Sequence, residues 1–139
     1  MPELRHIVVN DPKIFLRSIA KLLSDGARIS IEGDLTQCDF SFCKDISFEE
    51  TGNFKRNTIS PIQDFFILSL ESKIVEEIIS KVIVTNQDSD SLYHILIEKN
   101  GEIQFAAYDS FHPKCVVCGP LISDEFLNEQ KVLKVVQEL

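Results

Sequence analysis

The sequence predicts an α+β fold, a largely antiparallel sheet with two or three amphipathic helices packed on it, and three observations carry that expectation. Asn100-Gly101 stands between two alternating apolar segments, and this dipeptide suits a type I′ hairpin turn, which needs positive φ at both central residues. Apolar residues recur at helical spacing in two separate stretches, residues 14–23 and 74–82. The length of 139 residues fits one core, and no repeat, low-complexity tract or Pro/Gly/Ser linker divides it, so residues 1–139 are read as a single domain.

The elements follow in order. Leu4 to Val9 reads as a first strand. Asp11 supplies an N-cap oxygen and Pro12 pre-sets the first turn of a helix that carries Ile14, Phe15, Ile19, Leu22 and Leu23 on one side. Lys13, Arg17 and Lys21 fall on the other side, and Gly26 suits the left-handed position after the helix end. Arg28 to Glu32 alternates as a half-buried strand. Gly33-Asp34 turns, and Gln37 to Phe42 is expected as its antiparallel partner with Cys38, Phe40 and Phe42 on one face.

Asp45 to Ser60 is the one long irregular stretch, and Phe48, Phe54 and Ile59 are expected to tack it onto the body. Asp64 to Leu70 is apolar enough for a central strand. Ile74, Val75, Ile78, Ile79 and Val82 then form a helical stripe opposite Lys73, Glu77 and Lys81, although β-branched residues weaken helix preference. The hairpin strands are Leu92 to Lys99 and Glu102 to Tyr108, and Cys115 to Cys118 reads as a short strand. Ser123 with Asp124 caps a helix bearing Phe126, Leu127 and Leu133, and Val132 to Leu139 fits helix and strand equally.

A hydrophobic share of 44% with 10 Phe excludes a disordered acidic tail. The formal charge of −8, from 22 acidic and 14 basic side chains, opposes a phosphate backbone, so no nucleic acid is expected as partner. The same charge attracts basic protein surfaces. No apolar run approaches bilayer length and the amino terminus has no basic n-region followed by an apolar h-region, so neither membrane nor secretion is expected. Four Cys then read as reduced thiols, and the cytoplasm as the compartment.

Two stretches are candidate partner-binding sites. Glu32, Asp34, Asp39, Asp45, Glu49 and Glu50 outnumber Lys44, and form either a cation-facing patch or a solvated sheet edge that discourages pairing. Tyr108, Asp109 and His112, in the run Tyr108 to Pro113, leave the hairpin in a loop. That loop presents side chains to a partner, or is a turn held by Asp109 with Phe111 plugging the core. His112-Pro113-Lys114-Cys115-Val116-Val117-Cys118-Gly119 has the spacing of half a zinc knuckle, but buried thiols in a strand are the better reading. Asp88-Ser89-Asp90 is too little for a calcium loop. No catalytic constellation stands out, and neither enzyme activity, metal nor cofactor is expected.

His94 to Pro113, followed by Ser123-Asp124-Glu125-Phe126-Leu127, resembles small bacterial immunity proteins, the cognate inhibitors in contact-dependent growth inhibition and related polymorphic toxin systems. The hairpin ending in Tyr108-Asp109-Ser110-Phe111-His112 is the most distinctive part, and Ile29 to Leu35 is a weaker echo. The resemblance spans about half the chain. It implies an antitoxin that binds a cognate toxin domain with a basic surface, a nuclease foremost, and blocks its active site. The alternative is a cytosolic regulatory domain that binds another protein.

Overall fold

Asn100 and Gly101 both take positive φ, 56° and 77°, and join β5 (Leu92–Lys99) to β6 (Glu102–Ala107) as the dipeptide dictates. The computed structural model that shows this describes residues 4–36, 38–43, 45–57, 62–83, 92–108 and 111–138. On one side β5 pairs with β2 (Ala27–Gly33), β2 with β4 (Asp64–Leu70), and the two-residue β3 (Ile46–Ser47) finishes that edge. On the other, β6 pairs with β7 (Val116–Cys118), then come β1 (Arg5–Val9) and β8 (Val136–Glu138). The order is β3-β4-β2-β5-β6-β7-β1-β8, with antiparallel neighbours throughout.

The helices lie on one face of this sheet. Helix α1 (Pro12–Leu23) starts where the Asp11 carboxylate accepts the Ile14 N–H at 3.2 Å. Its buried stripe is Phe15, Leu16, Ile19, Ala20 and Leu23, while the expected Ile14 and Leu22 flank the stripe and are exposed. That rotation brings the Phe15 ring edge-on to Phe105 at 5.9 Å. The second helical stretch is composite: a 3₁₀ turn at Ser72–Ile74, α2 at Val75–Ile78 and a π turn at Ile79–Ile83. Crowded β-branched side chains explain the uneven winding, and Val75, Ile78, Ile79 and Val82 are nevertheless all buried.

Helix α3 (Asp124–Val132) is capped by Ser123, whose hydroxyl accepts the Phe126 N–H at 3.1 Å. It stops in a Schellman arrangement: Lys134 at φ 61° donates to Lys131, and Val135 N–H reaches Gln130 C=O at 3.0 Å. The chain end is therefore helix and then strand, and Leu133 lies exposed beyond the helix.

The strand expected after β2 does not form. Residues 38–42 form no strand, because local turns take their backbone donors: Cys38 N–H bonds Leu35 C=O, the Asp39 carboxylate takes Ser41 N–H at 2.9 Å, and Cys43 N–H bonds Phe40 C=O. β2 has both edges filled by β4 and β5. Phe40 instead stacks on Phe66 with centroids 4.5 Å apart. Gln37, Lys44, Ile59 and Asp88 to Asp90, named above, lie outside the described residues.

The hairpin geometry predicts that Gly101→Val lowers stability by about 1–2 kcal/mol, since a β-branched residue is strained at positive φ. Asn100→Ala should cost less. Gly52→Ala, at a position with open space around it, should stay within about 0.5 kcal/mol. Urea melts giving the same small effect for all three would contradict the type I′ turn.

Candidate functional site

The sheet face opposite the helices is roofed by the loop after β3, and this roof decides which acids meet solvent. Phe54, fully buried, plugs the loop onto Phe65, Ile67, Leu96 and Ala106. Asn53 donates to Glu98 at 2.6 Å and to the Gly101 carbonyl, and Arg28 binds the other oxygen of Glu98 at 2.7 Å. Asn57 N–H donates to Glu32 at 2.8 Å. Glu32 is consequently only 2% exposed, so its assignment to a cation-facing patch is corrected: it is a buried acceptor that ties down the roof. Alternation in β2 marked its polar side as solvent-facing, whereas Ser30 and Glu32 lie under the loop.

The other expected acids, Asp34, Asp39, Asp45, Glu49 and Glu50, are exposed; Asp45, Glu49 and Glu50 flank β3 in the chain, while Asp34 directly follows β2 and Asp39 lies in the turns between the two strands. Asp34 accepts from Thr36, and Asp39 is held below the usual carboxylate range by the Ser41 amide and hydroxyl, so it stays ionised. Among them stands Phe48, 58% exposed, resting edge-on against Phe66 at 5.0 Å. Sequence reading assigned Phe48 only to packing. The signal that it is a surface group was its position between Asp45 and Glu49-Glu50, just beyond a strand too short to bury it.

Tyr108 lies elsewhere. It sits one step beyond the Ile95–Ala107 pair, beside buried His94, with ring centroids 5.7 Å apart, and Glu32 is directly opposite His94. Glu32, His94 and Tyr108 thus form one row across three strands, and sequence reading missed His94. Burial raises the Tyr108 pKa, keeping the phenol protonated. His112 is exposed at the loop tip, its Nδ1 taking Lys114 N–H at 3.3 Å and standing 4.0 Å from Cys115 Sγ. Phe111, at φ 63°, packs toward the core 6.2 Å from Phe105. Asp109 lies outside the described residues. Four strand spacings of about 4.8 Å, roughly 19 Å, separate β3 from β6, so the acidic edge and the Tyr108 corner are two surfaces.

Strand β7 sends Cys118 into the core below the helices, while Val117 packs on the opposite face and Cys115 lies half-buried in the bend before the strand. Burial pushes the Cys118 thiol up to about 12 despite Arg5 nearby. Gly119 has a packing role instead. Gln104 is the extra residue where β6 bulges opposite Ile97 and Glu98; its carbonyl accepts Gly119 N–H at 2.7 Å, and a Cβ on Gly119 would lie 3.0 Å from Gln104 Cα. Among the described residues no group of three His, Cys, Asp or Glu side chains is arranged to hold a metal ion, and no helix is long and apolar enough to cross a membrane.

No protein-family model matches the chain, and neither do any curated proteins or solved structures.

Gly119→Ala should destabilise by about 1–3 kcal/mol through overpacking against Gln104. Cys115→Ser should cost under about 1 kcal/mol. A knuckle would reverse that ranking in thermal melts, with the fold lost along with Cys115.

Proposed function

We propose that this protein is a cytoplasmic immunity protein that binds a toxin domain with a basic cleft, a nuclease foremost, and blocks it stoichiometrically without turnover. One observation carries the reading: Phe48, a large exposed aromatic, follows the edge strand β3 in the chain between the exposed Asp45 and the exposed Glu49-Glu50. An apolar anchor inside a charged rim is the arrangement that protein interfaces use. The carboxylates take the place that substrate phosphates would occupy in a basic cleft, and Phe48 seals the contact against water. The charge of −8 supports the same partner, as does the resemblance of His94 to Pro113 to immunity proteins.

The rim and the anchor have separable effects. Replacing Asp34, Asp39 and Asp45 together by Asn should slow association, most at low salt, because rim charges act on encounter. Phe48→Ala should speed dissociation by about tenfold or more, equivalent to a hot spot of ~1.4 kcal/mol or above. Tyr108→Ala should leave binding within about threefold, a change of under ~0.7 kcal/mol, once loss of stability is accounted for. The test is co-expression with the toxin candidate encoded beside this gene, followed by titration of its activity. Protection of cells with an endpoint at one protein per toxin is expected. Unprotected cells and no complex at micromolar concentration would overturn the reading.

A further inference from the structure

The acidic edge contains a cavity of about 340 Å³ between β4 and the start of the composite helix, roughly ten times the ~30 Å³ claimed by one water. Phe42, Leu68 and Ile74 give it apolar walls, and Asp45 and Glu71 bring carboxylates to it. We infer that this cavity receives a long cationic side chain, an arginine or lysine, from the basic partner. The inference rests on the proposed docking of a basic domain at this edge.

Three features fit that occupant. An arginine or lysine has an apolar stem that packs on such walls and a charged head that needs acceptors at the far end. Asp45 accepts a bond from Ser69 at 3.3 Å, which steadies one carboxylate while leaving it exposed. Lys73, in the same lining, places its ammonium 3.2 Å from Glu71 in an exposed ion pair, so a carboxylate of the lining already draws a cation of the chain itself.

Displacing an internal cation makes a distinctive prediction, because removing Lys73 should help the ligand whereas removing a mere wall residue should not. The probe is n-butylguanidinium, titrated against the full chain by amide-resolved NMR, with uncharged n-butylurea as its analogue. The cation should shift the Phe42, Ser69 and Ile74 amides saturably in the millimolar range, and the urea should not. Asp45→Asn with Glu71→Gln should abolish saturation, while Lys73→Gln should tighten binding about two- to fivefold, the scale of one exposed ion pair. Dispersed spectra of these surface variants establish that they fold.

Shifts spread over all acidic surfaces, equal shifts from the urea, or weaker binding by Lys73→Gln would each overturn the inference. The probe needs no toxin. Toxin neutralisation without guanidinium binding would sink the cavity assignment alone, and the converse would sink the immunity reading alone.

Discussion

Burial of two carboxylates on the central strands is the constraint around which this molecule is arranged. Glu32 on β2 and Glu98 on β5 lie beneath the loop that follows β3, and an ionised carboxylate taken out of water costs several kcal/mol unless hydrogen bonds meet it. Arg28, Asn53 and the Asn57 amide meet it here. Since two of these donors belong to the loop, lifting it exchanges those bonds for water and takes Phe54 out of its apolar pocket at the same time. An irregular segment is thereby held like an element of secondary structure.

Holding the loop also sorts the charges. Acids with internal donors act as fasteners: Asp11 caps a helix, Asp64 accepts the Leu35 amide, Asp25 accepts the Ser72 amide, and Glu32 and Glu98 bind the roof. What remains outside beside β3 includes Asp45, Glu49 and Glu50, which flank Phe48 in the chain, and the Phe48 ring packs edge-on against Phe66. Asp34 and Asp39 use their side chains to shape local turns yet keep their charge toward solvent. The acidity of the composition is thus divided between stability and an outward face.

Where local chemistry settled conformation, the sequence was readable: Asn100-Gly101, Asp11-Pro12 and the Ser123 cap each act within a few residues. It was not readable where a distant segment intervened. Cys38, Phe40 and Phe42 alternate as a strand does, but β4 and β5 already pair both sides of β2, and Phe66 offered an aromatic surface instead. Glu32 read as an exposed acid because nothing nearby announces a roof contributed by residues 53–57. His94 was hidden by one residue of register. A plain hairpin about Asn100-Gly101 would pair it with Ala107, and the bulge at Gln104 moves it opposite Tyr108.

Hydrogen exchange on a complex with the proposed toxin partner tests the central proposal, that the β3 edge with its aromatic anchor is where such a partner lands. Slowed exchange is predicted for the amides of Ile46 to Glu50 and of Ser69 to Glu71, with the hairpin turn and the α3–β8 end exchanging as in the free protein. Protection confined to the Tyr108–His112 corner or to α3 and β8, with residues 46–50 exchanging freely in a saturated complex, would contradict it.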